Sequence, residues 1–126
     1  MLRVALVDDS PAHSAELSEL LDPQRGVEVT AAGSLGSDIV DLLTQEPPDI
    51  VLLDPPAQPE TIRRLIDVLH AALPHTRVVV TSLDDNHDHI REIWAASGEA
   101  FVPRKRLFRE PKEALSLIYG PTLHPN

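Results

Sequence analysis

Seven residues that could do chemistry each follow a short apolar run of the sequence. They are three carboxylates, two hydroxyls and two cations: Asp8, Asp9, Asp54, Thr81, Ser82, Arg104 and Lys105. Their positions matter because open α/β sheets place their sites at the carboxyl ends of buried strands. Aspartate also starts turns, and before two prolines Asp54 by itself fits that role about as well. The case for a site therefore depends on whether the seven residues come together.

Brought together, these residue types suit phosphoryl chemistry. Neighbouring carboxylates repel each other and need a cation between them to stay ionised. Oxygen ligands with room for water suit Mg²⁺, which commonly takes one or two carboxylates and a phosphoryl oxygen. A carboxylate beside bound Mg²⁺ can attack a phosphoryl donor and form an aspartyl phosphate. A hydroxyl and a cation on the opposite side would bind the remaining phosphoryl oxygens.

An alternation of strands and helices must position these residues. Apolar runs at residues 2–7, 50–53 and 77–81 are bounded by breakers or charged residues, which predicts strands buried on both faces. Ser10 is a good N-cap, and Pro11 fits the first position of a helix. Strand and helix alternate five times, which predicts a parallel sheet with right-handed crossovers and helices on both faces. In such a fold the loops after strands one, three, four and five share one edge, where the seven residues converge.

Further patterns predict the other elements. Residues 27–31 form a second strand, and Ser34 can cap a helix that has Ile39, Leu42 and Leu43 on one face. The clearest amphipathic stripe predicts a third helix: Ile62, Leu65, Ile66, Leu69 and Leu73. Acidic residues at 84–88 suit the start of a fourth helix, residues 100–102 predict a last strand, and Pro111 is expected to open the last helix.

Length, charge and cysteine content narrow the class of protein. The 126 residues fit one domain, which we expect over residues 1–120, with a loose tail at 121–126. The absence of cysteine excludes disulfides and thiolate metal sites. Neither a signal peptide nor an apolar run of membrane-spanning length is evident, so we expect a cytoplasmic protein without membrane contact. The formal net charge of −9 leads us to expect no direct nucleic-acid binding.

Four motifs in order resemble those of response-regulator receiver domains, over about residues 2 to 119. They end the first, third, fourth and fifth predicted strands: Val7-Asp8-Asp9, Leu52-Leu53-Asp54, Val79-Val80-Thr81-Ser82 and Ala100-Phe101-Val102-Pro103-Arg104-Lys105. The resemblance implies a flavodoxin-like, doubly wound α/β fold with a five-stranded parallel sheet in the order 2-1-3-4-5 and five helices (flavodoxin and receivers are known examples of this order). It also implies a role in two-component phosphorelay signalling, without enzymatic turnover.

The resemblance assigns roles to individual residues. Asp8 and Asp9 match the acidic pair that holds Mg²⁺, and Asp54 matches the phosphoacceptor and a further metal ligand. Thr81 matches the switch hydroxyl, and Phe101 matches the aromatic residue whose rotation accompanies activation. The backbone carbonyl at position 56 would complete the protein's share of the Mg²⁺ ligands.

The sequence departs from the family pattern at two places. A lysine is expected where Arg104 stands, and Lys105 next to it would point to the other side if the strand continued. Pro55 and Pro56 lack the N–H groups that in this family help to hold the phosphoryl oxygens. Each missing donor removes about 1.5–3 kcal/mol of stabilisation when its partner is charged. An alternative reading is therefore a degenerate receiver that acts as a phosphorylation-independent interaction module.

The resemblance also implies partners. These are a sensor histidine kinase or phosphotransfer protein and a downstream effector or second copy. The latter would meet a face formed by the fourth helix, fifth strand and fifth helix, whose expected members are Arg91, Trp94, Lys105, Arg106 and Tyr119.

Two other kinds of site fit less well. His87 and His89 lie two residues apart, which on a helix places them about 200° apart and prevents a shared metal ion. A flavodoxin-like flavin carrier shares the sheet order, but it requires a hydroxyl-rich phosphate loop where this chain has Asp8 and Asp9.

Overall fold

The protein is an α/β structure built around one parallel sheet. The computed structural model describes residues 2–8, 11–21, 26–34, 37–54, 59–82, 100–111 and 113–114. In chain order the elements are β1 (Leu2–Asp8), α1 (Pro11–Leu21), β2 (Val27–Gly33), α2 (Ser37–Gln45), β3 (Ile50–Asp54), α3 (Pro59–Ala72), β4 (Arg77–Ser82), β5 (Ala100–Pro103) and α4 (Arg104–Arg109). The strands lie in the order β2-β1-β3-β4-β5, and each neighbouring pair is parallel. The predicted parallel α/β sheet is confirmed. The helix predicted from residues 84–88 onward and the tail at 121–126 lie outside the described residues.

Helices cover both faces of the sheet. Alternate strand residues point to opposite faces, so Leu6 packs in one core with Leu17 of α1, whereas Val7 packs in the other with Ile39 of α2. The first core also contains Leu107 of α4, and the second contains side chains of α3. Because β1, β3 and β4 are covered on both sides, their sequences are continuous apolar runs rather than alternating ones.

Helix α3 follows the predicted stripe. Ile66, Leu69 and Leu73 are buried and Leu65 is half-buried, which orients this helix against the sheet. With 14 residues α3 is the longest described helix, and none of the described helices is long and apolar enough to cross a bilayer.

The bounds of α2 differ from the prediction. Strand β2 continues to Gly33, which pairs with Val7 of β1, so the helix begins at Ser37 and not next to Ser34. Leu42 was expected on the buried face but is 45% exposed. Neighbouring residues on a helix point about 100° apart, and burial of Ile39 and Leu43 turns Leu42 toward solvent.

The described residues from Pro111 onward, 111 and 113–114, are helical, as the sequence pattern predicted. The pattern did not predict α4, which begins at Arg104 directly after β5. Leu107 is fully buried between the exposed residues Arg106 and Phe108, so burial of one leucine against the sheet orients this helix. The expectation that Lys105 points away from Arg104 required the strand to continue, but the strand ends at Pro103 and both residues lie in α4.

A hydrogen-bond network fixes the amino edge of the sheet. The Asp49 N–H donates to the Arg3 carbonyl at 2.9 Å, and the Arg3 N–H donates to the Asp49 carboxylate at 2.8 Å. The Arg77 N–H donates to the Asp49 carbonyl at 3.0 Å. Gly26 completes this edge, because its carbonyl accepts the Leu2 N–H and its φ of 85° suits glycine better than other residues.

The buried Thr76 hydroxyl, which donates to the Pro48 carbonyl at 2.7 Å, provides a test of this edge. We expect Thr76→Val to lower the free energy of unfolding by about 1–3 kcal/mol, because the carbonyl loses its partner away from water. The matched control is Thr44→Val, which removes a 2.8 Å bond to the Asp41 carbonyl on an exposed helix surface and should cost no more than about 0.5 kcal/mol. Urea unfolding of the two variants measures both values, and equal losses would contradict the role given to Thr76.

Candidate functional site

Two carboxylates stand side by side at the carboxyl edge of the sheet. Asp8 ends β1 and Asp54 ends β3, and the two residues are direct partners in the parallel register. Adjacent strands lie about 4.8 Å apart, so the two backbones hold the carboxylates within reach of one ligand. Asp8 is 6% exposed and Asp54 is half-buried.

Thr81 extends this pair into a row. Leu53 pairs with Val80, so the next position of the same register sets Asp54 beside Thr81. All three residues lie two positions after members of the core that faces α1, namely Leu6, Leu52 and Val79. Because side chains alternate along a strand, Asp8, Asp54 and Thr81 belong to one face of the sheet. We call these three residues the acid row.

In the part of the chain that the structure describes, the hydroxyl of Thr81 has no hydrogen-bond partner. The residue is 1% exposed, and its Oγ1 atom is one of two buried side-chain oxygens among the described residues that lack a partner. An unpaired buried hydroxyl costs on the order of 1–3 kcal/mol. Buried polar groups left unpaired beside a cluster of carboxylates are typical of sites that gain their partner from a ligand.

The other predicted site residues are placed less completely. Arg104 and Lys105 open α4 directly after β5, at the same edge as the acid row, and Ser82 ends β4. The side chains of these residues and of Phe101 are not among those described. Asp9 and Pro56 lie outside the described residues. The structure thus brings Asp8, Asp54 and Thr81 together.

The donor set of the acid row fits a hard divalent cation. Carboxylate oxygens are the ligands that Mg²⁺ prefers, and Asp8 and Asp54 present them from neighbouring strands. Within the described ranges no group of three or more His, Cys, Asp or Glu residues could hold a metal ion. A magnesium site here would therefore need Asp9, the Pro56 carbonyl or water as further ligands.

A pocket beside Asp8 was not predicted. It has a volume of about 340 Å³ and lies between α1 and the end of β2, and its lining residues are mostly small: Asp8, Ser14, Ala15, Ser18, Ala32, Gly33 and Ser34. In the sequence, Gly33 and Ser34 form no recognisable phosphate loop. The available signal was the spacing of Ser14, Ala15 and Ser18, which puts three small side chains on one helix face.

Comparison with known proteins identifies the fold. No protein-family model matches the chain. The chain is 27% identical over 118 residues to the uncharacterized transcriptional regulatory protein YxjL of Bacillus subtilis, covering 93% of this chain and 52% of the relative. It thus spans about half the length of that relative.

Solved structures agree on the fold. The response regulator domain of Thermotoga maritima CheB matches with a TM-score of 0.73 and 21% identity, over 100% of this chain and 98% of that domain. RcsB of Salmonella enterica serovar Typhimurium, bound to the promoter rprA in the presence of phosphomimetic BeF3-, matches with a TM-score of 0.78 and 16% identity, over 96% and 61%. The chain therefore has the fold of response-regulator receiver domains, and the resemblance drawn from the four motifs is confirmed at that level.

These comparisons overturn one expectation. The sequence led us to expect no direct nucleic-acid binding, but RcsB was solved on promoter DNA and YxjL is named a transcriptional regulator. The error lies in using the net charge of this chain as a guide to the whole class. The matched region covers only 61% of RcsB and 52% of YxjL, so its charge does not describe what those longer proteins bind.

The expected partner face is not described as a unit. Arg91, Trp94 and Tyr119 lie outside the described residues, and the Lys105 side chain is not described. Arg106 is exposed on α4.

The orphan hydroxyl of Thr81 yields a prediction opposite in sign to that for Thr76. We expect Thr81→Val to leave the free energy of unfolding unchanged or to raise it by about 1 kcal/mol, because a methyl group of the same shape replaces an unpaired buried hydroxyl. Urea unfolding in metal-free buffer, beside Thr76→Val, makes the comparison. A loss above about 1 kcal/mol would mean that the Thr81 hydroxyl has a partner in the free protein.

Proposed function

We propose that this chain is a cytoplasmic receiver module of two-component signalling that accepts a phosphoryl group on Asp54. The observation that carries the proposal is the acid row, in which two adjacent carboxylates and an unpartnered buried hydroxyl lie on one face at one sheet edge. The receiver-like fold supports it. The phosphoryl group is transferred onto the protein itself, so in this proposal the chain is the acceptor of the reaction and not an enzyme.

The chain's residues divide the work as follows. A carboxylate oxygen of Asp54 attacks the phosphorus of an acyl phosphate, and a new P–O bond forms while the bond to the acyl oxygen breaks and releases a carboxylate. The Thr81 hydroxyl donates its unused hydrogen bond to a phosphoryl oxygen, and the cationic side chain of Arg104 or Lys105 neutralises another. The gain of a partner for Thr81 links phosphorylation to the packing of β4.

Asp8, Asp9, Asp54 and the Pro56 carbonyl would hold Mg²⁺ in this proposal. The bound ion supplies positive charge that reduces the repulsion between the carboxylates and the incoming phosphoryl group. Asp8 and Asp54 pair in the parallel register of β1 and β3, so the separation of their backbones is fixed before any ion binds.

A second function is favoured by the residues that follow Asp54. Pro55 and Pro56 cannot donate backbone hydrogen bonds, and Arg104 replaces a compact ammonium by a planar guanidinium. A protein with these substitutions that takes up no phosphoryl group would be a degenerate receiver, which acts by presenting a fixed surface to a partner.

The proposal also covers the activity that the receiver module would control. YxjL carries the name of a transcriptional regulator, and RcsB was solved on a promoter. We therefore propose control of a DNA-binding activity as the output. This chain would act as the switch, and promoter binding by the protein with and without phosphoryl donor is the measurement.

Incubation with acetyl phosphate and Mg²⁺, followed by intact-protein mass spectrometry, tests the acceptor. We expect one phosphoryl group to be added to the native chain, none to Asp54→Asn, and none when Mg²⁺ is chelated. The matched control is Asp67→Asn, which makes the same change at an exposed residue of α3 and should be phosphorylated like the native chain.

The absence of any mass increase in protein whose circular dichroism shows it to be folded would exclude the acceptor function. The same result would leave the interaction module as the function of this fold.

A further inference from the structure

Buried polar side chains of this protein concentrate at the pocket between α1 and β2. Among the described residues four polar or charged ones are buried, and two of them, Asp8 and Ser14, line this pocket. They are 6% and 8% exposed. Polar groups are costly to remove from water, so a wall that contains two of them is unlike a gap left by imperfect packing, which is typically apolar.

The pocket is separate from the part of the edge where a phosphoryl group is proposed to bind. Asp54 and Thr81 lie on β3 and β4, and neither lines it. The walls come from the opposite side of β1: Ser14, Ala15 and Ser18 from α1, and Ala32, Gly33 and Ser34 from the end of β2. Asp8 is the one residue that belongs to both the pocket and the acid row.

The chemistry of the lining selects a class of ligand. One carboxylate and the three hydroxyls of Ser14, Ser18 and Ser34 can all accept hydrogen bonds, and none of the described residues that line the pocket is a lysine, arginine or histidine. The complementary ligand is therefore a cation that carries N–H donors, because such a group gains charge-assisted hydrogen bonds from a carboxylate. The volume of about 340 Å³ is near the lower end for ligand pockets, which favours a small molecule.

We propose that this pocket binds a small organic cation, a primary ammonium or guanidinium compound, through Asp8 and the surrounding serine hydroxyls. Its short alkyl part lies against Ala15 and Ala32. The proposal concerns binding alone and does not depend on phosphorylation of Asp54.

Asp8 gives such binding a consequence for the acid row. A cation held by Asp8 from the α1 side competes with a divalent ion held by the same carboxylate from the β3 side. This consequence, unlike the binding itself, rests on the proposed function.

The binding test is a titration of the ¹⁵N-labelled chain followed by amide NMR in metal-free buffer at constant ionic strength. The probes are propylguanidinium and propylammonium, with propylurea as an uncharged compound of similar shape. We expect saturable shifts at Gly33 and Ser34 with at least one cation, and at least about tenfold weaker binding of propylurea because it lacks the charge-assisted bond.

Two substitutions of alanine on the same helix provide the matched comparison. Ala15→Leu places a larger side chain in the pocket and should weaken binding by about tenfold or more. Ala12→Leu makes the same change at an exposed residue of α1 that does not line the pocket, and it should leave the affinity within about twofold. Asp8→Asn, checked for folding by circular dichroism, should also abolish the preference for the cations over propylurea.

Three outcomes would overturn the proposal. They are the absence of saturable shifts with both cations, equal binding of propylurea, and unchanged affinity in Ala15→Leu. The first would identify the pocket as a water-filled cleft, and the second would mark the probes as adventitious occupants.

Discussion

The in-register pairing of β3 with β1 and β4 is the constraint on which the rest of the structure depends. A shift of one residue in a strand turns every side chain to the opposite face. In β3 such a shift would exchange the two cores, and it would also separate Asp54 from Asp8 and Thr81. The apolar runs alone do not prevent it, because β3 is apolar on both faces: Ile50 and Leu52 face one core, and Val51 and Leu53 face the other.

The residue that resolves this ambiguity is Asp49, at the edge opposite the acid row. Its N–H, carbonyl and carboxylate bind Arg3 and Arg77 from the two flanking strands. The Arg3 side chain adds a 3.9 Å ion pair with Glu46, but both side chains are about half exposed or more, and exposed pairs of this kind contribute little. The contacts of Asp49 therefore set the register of β3. That register places Asp54 beside Asp8 and Thr81 at the other end of the strand.

Two threonines illustrate how stability and function are divided between the two edges. Thr76 and Thr81 lie near opposite ends of β4, and both are almost completely buried. The hydroxyl of Thr76 has a partner in the Pro48 carbonyl, whereas that of Thr81 has none among the described residues. The first is a structural contact that is complete in the free protein. The second keeps a donor available at the cost of stability, which is common where a protein binds a ligand.

The candidate site could be predicted only in part, because only some of its residues have a signal in the local sequence. Asp8, Asp54 and Thr81 were identified because each follows an apolar run, and the alternation of strands and helices placed all three at one edge. The pocket beside Asp8 was not identified, because Ser14 and Ala32 have no sequence signal that joins a helix face to the end of a strand far along the chain. The expectation of no nucleic-acid binding was wrong because it rested on the net charge of this chain. That charge does not describe the longer proteins that share this fold.

The sequence by itself determined the order and type of the elements, since these follow from local properties. The apolar runs, the proline at the start of α1 and the stripe of α3 are all visible within windows of a few residues. Tertiary structure alone decided the exposure of Leu42, the start of α4 at Arg104, the pairing of Asp8 with Asp54 and the isolation of the Thr81 hydroxyl. Each of these depends on which distant segment covers a given side chain, and burial against residues far apart in the sequence overrides local preference because it contributes the larger free energy.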